Sequence, residues 1–295
     1  MTILPTVMPD EFVLGYWGRV HILNFFGTPT QTVEALIDYF ALPPSRTQRI
    51  ESLALAANTD VQSFVQNHTL IPAHSAITFE FSGLPHGSPK FKALIKQWWQ
   101  LTQKPGAYFC PQCAASQHAR WGYAYWQRCH QLRGVSWCSI HGESLLRCPE
   151  KAFLNDTPST NLSTGTFPGA QPETTYWPVL TRYSEIMHAF LTRTVRTRMR
   201  DVSKTLRLVA ANKSINTGNN PECQFLSDLA LGLLPGWWLE ETFPSIIAKQ
   251  PGTPFPALDN TVMVRHAQPH AFALAMALIY ESSDEALANL PHHVS

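Results

Sequence analysis

Four side chains that commonly bind metal ions occur as two closely spaced pairs, Cys110 with Cys113 and Cys138 with His141. Two residues separate the members of each pair, so one tight turn can direct both side chains at the same ion. Two such turns complete a tetrahedral set of three thiolates and one imidazole, which Zn²⁺ binds readily and without redox chemistry. The sequence therefore predicts one structural zinc ion bound by these four residues.

Two catalytic interpretations of the same residues explain less of the pattern. A redox-active Cys110-Pro-Gln-Cys113 pair leaves the second pair without a role. His141-Gly-Glu143 matches the His-x-Glu part of the zinc deaminases, but in that signature it precedes the cysteine pair, whereas here it follows. Four protein ligands would also leave the ion no open position for a reactive water. We therefore predict no catalytic residues and no enzymatic activity.

Other cysteines and histidines lie close to the two pairs in the sequence, and either Cys148 or His130 could replace one of the four ligands. Five of the six cysteines fall within 39 residues, which favours metal binding in a reducing compartment over disulfide bonds. The N-terminal residues show no basic region before an apolar run, and no stretch of about 18 apolar residues occurs. We expect a cytoplasmic protein without a membrane span.

The segment from Thr30 to Asn67 has the apolar spacing of α-helices. Pro43 ends a first helix, a second is expected around residues 50–56, and Thr59 or Asp60 can cap a third. Two short helices joined by a tight turn resemble a helix-turn-helix. An ordinary helical hairpin inside a core remains the alternative, because the third helix carries no Arg or Lys with which to read bases.

A second helical pattern extends from Ser184 to Asn212, where apolar residues recur every three or four positions. Basic residues recur at the same spacing on roughly the opposite face: Arg193, Arg196, Arg200, Lys204 and Arg207. A row of charges is commonly a solvated helix face. Five basic residues with few acids between them also fit a surface that binds nucleic acid or an acidic protein partner.

The net charge of +1 conceals an uneven distribution of charge along the chain. Charged residues make up 15% of the 295 residues, against a typical value of about 25%. Residues 182–213 contain eight basic and two acidic residues, whereas residues 214–295 contain two basic and eight acidic ones. A surface that is basic throughout, as expected of a protein that coats nucleic acid, is excluded.

These patterns predict a mainly α fold in four segments. We expect an N-terminal helix-turn-helix-like part (1–105) and a small zinc-finger or ribbon element (106–150). A stretch rich in Ser, Thr and Pro predicts a linker or long loop (151–176), and a C-terminal helical domain (177–295) follows.

Three motifs occur in order within residues 8–150: Pro9-Asp10-Glu11-Phe12 with Gly15-Tyr16 and Arg19, then His68-Thr69-Leu70-Ile71-Pro72, then the stretch from Cys110 to Cys148. In this combination the chain resembles the TniQ/TnsD family of transposon target-selection proteins. Members of that family often carry a further cysteine pair after the last motif. Here Cys148-Pro-Glu-Lys151 lacks the second cysteine, so a second zinc site built from that pair is not expected.

The resemblance implies a non-enzymatic bacterial adaptor that brings the transposition machinery to its target. Such proteins bind an attachment site on DNA or dock on an RNA-guided CRISPR effector complex (Cascade, with its guide RNA), and then engage the AAA+ ATPase TnsC. The length of the chain and its near-neutral charge favour the Cascade-docking type, which by resemblance acts as a head-to-tail homodimer with DNA contact secondary. The alternative is a sequence-specific DNA-binding target selector.

Overall fold

The computed structural model describes residues 2–79, 83–102, 104–164, 177–218 and 223–291. Within them are sixteen α-helices, two 3-10 helices and four short strands, which confirms the predicted mainly α fold. None of the described helices combines the length and apolar character that crossing a membrane requires. The described residues form two compact units. The first draws on Met1–Pro72, Leu84–Leu132 and Ser136–Thr174, and the second on Ala73–Gly83, Arg133–Val135 and Thr175–Ser295.

The first unit opens with four helices, α1 (Val13–Asn24), α2 (Pro29–Tyr39), α3 (Gln48–Ala56) and α4 (Val61–His68). Local signals set their limits. Pro29 occupies the first turn of α2, and the Thr28 hydroxyl accepts a hydrogen bond from the Gln31 amide. Of the two predicted caps, Thr59 and Asp60, it is Asp60 that caps α4, because its carboxylate accepts a hydrogen bond of 2.9 Å from the Ser63 amide.

The middle of the chain consists of short elements: α5 (Ile71–Ser75), β1 (Ile77–Thr78), α6 (Lys92–Ile95), a 3-10 helix (Trp98–Gln100), β2 (Ala107–Phe109), α7 (Pro111–Trp121), a second 3-10 helix (Arg128–Gln131), β3 (Leu146–Cys148), α8 (Ala152–Asn155) and α9 (Pro158–Thr164). Strands β2 and β3 pair antiparallel, with Ala107 opposite Cys148. The Gln131 side chain binds this ribbon at Tyr108, accepting from its amide at 2.9 Å and donating to its carbonyl at 2.7 Å.

Helices α8 and α9 lie in the first part of the segment predicted as a linker, residues 151–176. Residues 165–176 of that segment lie outside the described residues. Helix α1 packs against α8 so closely that a Cβ atom added at Gly18 would lie 2.1 Å from the Phe153 carbonyl oxygen. Phe12, just before α1, meets the Phe153 ring edge to face, with 5.1 Å between the ring centroids. Helix α8 is therefore anchored in the core of the first unit.

A buried ion pair joins the residues before α1 to α1 itself. Glu11 is fully buried, and its two carboxylate oxygens each accept a hydrogen bond of 2.7 Å from the Arg19 guanidinium. Arg19 also donates to the Thr6 carbonyl at 2.7 Å and to the Tyr123 hydroxyl at 3.0 Å. Burial raises the pKa of Glu11, and the guanidinium opposes that shift. Each buried charge is thus compensated by the other.

A second ion pair connects distant parts of the first unit. Arg128 donates to Asp10 at 2.6 Å, and the amide of Cys129 donates to the other Asp10 oxygen at 3.2 Å. The same guanidinium donates to the carbonyl oxygens of Gln66 and Thr69 at the end of α4. The N-terminal segment, α4 and the second 3-10 helix therefore meet at one guanidinium.

The second unit contains α10 (Pro178–Thr192), β4 (Thr197–Arg198), α11 (Met199–Asn212), α12 (Leu226–Leu233), α13 (Gly236–Thr242), α14 (Pro256–Asp259), α15 (Pro269–Ile279) and α16 (Ser283–Ala288). Helix α15 is its central element, because it contacts α10, α11, α12, α14 and α16. Nine of its eleven residues are buried, and its alanine-rich sequence permits this close packing. Strands β1 and β4 pair parallel, with Ile77 opposite Thr197.

Three residues from the middle of the chain, 133–135, belong to the second unit. The Tyr183 hydroxyl donates to the Arg133 carbonyl and the Trp238 indole N–H to the Gly134 carbonyl, both at 2.7 Å. Gly134 has a φ of +71°, and an added Cβ would lie within 2.9 Å of both rings. The two units therefore do not coincide with the predicted segments 1–105, 106–150 and 177–295.

The prediction of one continuous helix from Ser184 to Asn212 is wrong. Helix α10 ends at Thr192, and β4 precedes the start of α11. The Thr197 amide instead donates to the Ala76 carbonyl at 2.8 Å. The residues between the helices include β-branched Thr and Val, which favour extended backbone. Val195, between the two helices, happens to continue their apolar spacing, and for this reason the sequence predicted one continuous helix.

We expect Glu11→Gln to lower the free energy of unfolding by about 3–5 kcal/mol, because it leaves the buried Arg19 charge without its counterion. Urea denaturation followed by tryptophan fluorescence measures the change. Glu34, exposed on α2, supplies a matched control, and Glu34→Gln should change the stability by less than about 0.5 kcal/mol. Equal stability of the two variants would contradict a structural role for the ion pair.

Candidate metal centre

The first cysteine pair is positioned by the end of β2 and the start of α7. Cys110 follows β2 directly and is the N-cap residue of α7, with Pro111 in the first turn. The Ala114 amide donates to the Cys110 carbonyl at 3.0 Å, which begins the helix. Cys113 therefore lies one turn further along the same helix, and both sulfur atoms are directed to the same side.

The second pair lies in a tight turn that the backbone closes on itself. The Gly142 amide donates to the Cys138 carbonyl at 2.8 Å, and the Cys138 amide donates to the Glu143 carbonyl at 2.8 Å. Trp137 and Ser144 form an antiparallel bridge that flanks the turn. Gly142 has a φ of +68°, a left-handed conformation that costs glycine little. This turn directs Cys138 and His141 at one point.

The four predicted ligands converge in the structure. Each offers one ligand atom, and these atoms all lie within 4.8 Å of one another. The Nδ1 atom of His141 is 3.4 Å from the sulfur atoms of Cys110 and Cys113 and 3.6 Å from that of Cys138. The Cys113 and Cys138 sulfur atoms are 3.5 Å apart. Tetrahedral bonds of about 2.3 Å to sulfur and about 2.0 Å to nitrogen give ligand separations of about 3.5–3.8 Å. The cluster has the dimensions of a tetrahedral metal site.

Hydrogen bonding makes the three thiols unequal in the absence of a cation. The hydrogen bond between Cys113 and Cys138 lowers the pKa of Cys138 and raises that of Cys113. Burial raises the pKa of Cys110. A bound cation would displace protons from cysteine ligands, because the thiolate is the form that binds a metal ion.

The two residues that the sequence left open as alternative ligands lie outside the described cluster. His130 is buried and forms a hydrogen bond with Cys138, which stabilises the thiolate of that ligand. Cys148 is buried in β3, opposite Ala107 of β2. Glu143 accepts a hydrogen bond from the Gln112 side chain. Four protein ligands fill a tetrahedral site, which gives it the chemistry of a structural centre.

The five basic residues predicted as an interaction surface do not form one row. Arg193 is the C-cap residue of α10, and Arg196 is only 4% exposed in the segment before β4. Burial lowers the pKa of Arg196 to about 10, so it remains charged at neutral pH. Arg200 and Lys204 are exposed on α11, and Arg207 is partly exposed one turn further. A shorter basic face of three residues therefore remains on α11.

Sequence analysis assigned no role to the ion pairs that support this centre. Asp10 and Glu11 were noted as part of a motif. The partner of Glu11, Arg19, is 8 residues away in the sequence, and the partner of Asp10, Arg128, is 118 residues away. The one local signal is a pair of adjacent acids directly before an apolar helix, in a chain with few charges.

The family model TniQ matches residues 2–145, a range that includes the four clustered ligands and both ion pairs. By this domain the chain belongs to the TniQ family. No curated protein matches the chain. The TniQ domain implies a role as a target-selection adaptor in transposition, together with partners from the transposition machinery, and the family is non-catalytic.

The turn at Gly142 provides a test of the centre that is independent of the identity of the ion. We expect Gly142→Ala to destabilise the protein by about 1–2 kcal/mol through its positive φ alone, because nothing lies within 4 Å of the added Cβ. Gly142→Asn should cost less, since Asn tolerates this conformation better. Thermal denaturation measures both effects. Gly232→Ala in α12 is the control, because an added Cβ there also meets nothing within 4 Å. This variant should leave the stability unchanged or slightly raised. A loss equal to that of Gly142→Ala would refute the explanation by positive φ.

Proposed function

We propose that this TniQ protein is the adaptor between an RNA-guided CRISPR effector complex (Cascade) and the AAA+ ATPase TnsC in targeted DNA transposition. The observation that carries the proposal is the TniQ domain at residues 2–145. The near-neutral charge of the chain favours protein contacts over broad binding to DNA. A head-to-tail homodimer is part of the proposal, since the basic segment 182–213 and the acidic segment 214–295 offer complementary charge.

The surroundings of α4 argue against its use as a recognition helix. A helix-turn-helix protein reads base edges with the N-terminal residues of its second helix. In this chain Gly87 lies against the first turn of α4, because a Cβ atom added at Gly87 would be 2.3 Å from the Gln62 Cα and 2.9 Å from the Val61 carbonyl oxygen. Helix α4 also contains no Arg or Lys. Direct base reading by α4 is therefore disfavoured.

We further propose that Cys110, Cys113, Cys138 and His141 bind one Zn²⁺ with a structural role. Three sulfur ligands and one imidazole in tetrahedral geometry are the donor set that zinc prefers. The ion would tie the start of α7 to the turn that follows Cys138, two segments separated by 24 residues in the sequence. Both segments have few apolar side chains of their own, so the ion supplies cohesion that local packing lacks.

The zinc proposal predicts about one zinc ion per chain in the purified protein, measured by elemental analysis. Cys113→Ser should lose the ion and disorder the start of α7 and the turn that follows Cys138, because metal binding there is coupled to folding. Hydrogen exchange of that region detects the loss of structure. Cys223→Ser serves as the control, since Cys223 lies outside the cluster, and it should retain the ion. A fully folded protein that never contains zinc would refute the proposal.

The adaptor proposal predicts that Cascade assembled with guide RNA co-purifies with the tagged chain, and that TnsC joins the complex. Binding to naked duplex DNA should remain weak at physiological salt. Co-purification is measured in parallel with DNA binding by fluorescence anisotropy. Absence of Cascade together with tight binding to one DNA sequence would overturn the proposal.

The basic face of α11 favours one second candidate, a DNA-binding target selector. Arg200, Lys204 and Arg207 lie at intervals of four and three residues, as expected of one helix face that contacts phosphates. If this candidate is correct, replacing all three by Gln should weaken DNA binding and reduce its dependence on salt. A matched variant with Arg46, Arg49 and Lys90 replaced by Gln removes the same charge from exposed positions of the first unit. Equal affinity of the two variants would exclude α11 as the DNA surface.

A further inference from the structure

One long stretch of the sequence carries basic side chains without any acidic ones. Residues 81–142 contain seven Lys or Arg residues and no Asp or Glu. Within this stretch, Lys92 begins α6 and Lys96 is its C-cap residue, and both are exposed. Among the described residues, none forms an ion pair or a hydrogen bond with either ammonium group. Both charges are therefore available to a ligand.

Local geometry places these two lysines beside an exposed tryptophan and an exposed leucine. The Lys96 amide donates to the Lys92 carbonyl at 2.9 Å, so the two side chains lie one helical turn apart on the same side. The Lys96 ammonium lies over the Trp98 ring, 5.8 Å from its centroid. The Leu101 amide donates to the Trp98 carbonyl at 3.0 Å, and in such a 3-10 turn side chains three positions apart are aligned. These four residues form one continuous surface, which we call the Lys–Trp surface.

The segment that carries the Lys–Trp surface is fixed from behind. Trp99 is buried and packs on Trp17, with 6.1 Å between the ring centroids. Leu94 of α6 is buried as well. Trp98 and Leu101, by contrast, remain 44% and 53% exposed. An anchored segment that leaves two adjacent large apolar side chains in water is typical of an interaction site.

An acidic residue limits the Lys–Trp surface at the end opposite to α6. Glu150 is exposed, and its carboxylate accepts a hydrogen bond of 3.0 Å from the hydroxyl of Thr102, the residue directly after Leu101. The charge is therefore positive at α6 and negative beyond Leu101. A ligand that matches this distribution carries negative charge at one end and an apolar group at the other.

We propose that the Lys–Trp surface binds an acidic segment of a partner protein in which adjacent carboxylates lie next to an apolar side chain. Lys92 and Lys96 bind the carboxylates, and Trp98 and Leu101 contact the apolar side chain. This ligand class does not depend on whether Cascade is the partner, so the assignment is independent of the adaptor proposal and of the metal centre.

The distribution of charge and apolar area disfavours a single-stranded nucleic acid as the ligand. Such a strand carries a charge at every nucleotide and stacks its bases on open aromatic faces. Here the Lys96 ammonium already lies over the Trp98 ring, and Glu150 would repel phosphates beyond Leu101. The exposed leucine offers a base no aromatic face. The acidic, partly apolar peptide fits these features better than the strand.

The test follows the indole N–H signal of Trp98 by NMR in the ¹⁵N-labelled full chain, and the Trp98→Phe variant assigns that signal. The probe is the peptide Leu-Phe-Ser-Asp-Asp-Ser-Phe-Leu, whose symmetry allows either chain direction. It should shift the Trp98 signal in a saturable manner and leave that of buried Trp238 unmoved. A matched peptide with Asn in place of both Asp residues should bind about fivefold more weakly, the factor expected for two exposed ion pairs. No shift of the Trp98 signal, or equal affinities for the two peptides, would overturn the proposal.

Variants at exposed positions test both parts of the surface. Lys92→Gln combined with Lys96→Gln should weaken peptide binding about fivefold. Arg46→Gln combined with Arg49→Gln removes two exposed charges from other positions of the first unit and should leave the affinity unchanged. Leu101→Ser should weaken binding about threefold through the lost apolar contact. Thermal denaturation confirms that each variant is folded. Unchanged affinity of the lysine variant, or equal losses in the lysine and arginine variants, would refute the assignment.

Competition separates the peptide from nucleic acid. A single-stranded oligonucleotide of eight residues, as RNA or as DNA, should shift the Trp98 signal only at higher concentration than the Asp peptide does. An equal or stronger effect of either oligonucleotide would overturn the peptide assignment in favour of nucleic acid. Because the mixture contains neither Cascade nor TnsC, its outcome is independent of the co-purification result.

Discussion

Two carboxylates adjacent in sequence, Asp10 and Glu11, bind two guanidinium groups, Arg128 of the second 3-10 helix and Arg19 of α1. Removing these charges from water is costly, and only near-complete hydrogen bonding makes it tolerable. That requirement leaves little freedom, since Arg128 must meet Asp10 and the end of α4 at the same time. These contacts also restrict where the metal ligands lie, because the backbone that leads to Cys138 begins at Arg128, whose position they fix.

The metal cluster and the ion pairs act on different scales. The turn at Cys138–Gly142 and the cap at Cys110 are local structures that bring each pair of ligands together. Joining the two pairs requires the β2–β3 ribbon, whose antiparallel register places Phe109 opposite Leu146. His130 connects the ion pairs with the metal cluster, because it lies in the same 3-10 helix as Arg128 and forms a hydrogen bond with the Cys138 sulfur. The cysteine-rich segment is therefore part of a larger core and differs in this respect from a free zinc finger.

Sequence reasoning succeeded where the determinants are local. Ligand spacing predicted the cluster. Thr59 or Asp60 was expected as a helix cap, because capping involves neighbouring residues, and Asp60 is the cap. It failed where tertiary contacts override local pattern. The polar composition of residues 151–176 indicated a linker or long loop, yet residues 152–155 form α8, in which Phe153 packs against Phe12 and Gly18. The apolar period through residue 195 indicated one helix, yet pairing with β1 breaks it.

The chain passes from one unit to the other five times, because residues 73–83 and 133–135 belong to the second unit although first-unit residues flank them. Cleaving the chain near residue 176 would therefore not separate the two units, because residues 73–83 and 133–135 of the second unit would remain in the N-terminal fragment. The fragment 177–295 would lack the partner strand of β4 and the two carbonyls that bind Tyr183 and Trp238. In evolution, the second unit cannot be replaced by recombination at one site. Any new C-terminal part would have to accommodate both inserts, residues 73–83 and 133–135, to keep these contacts.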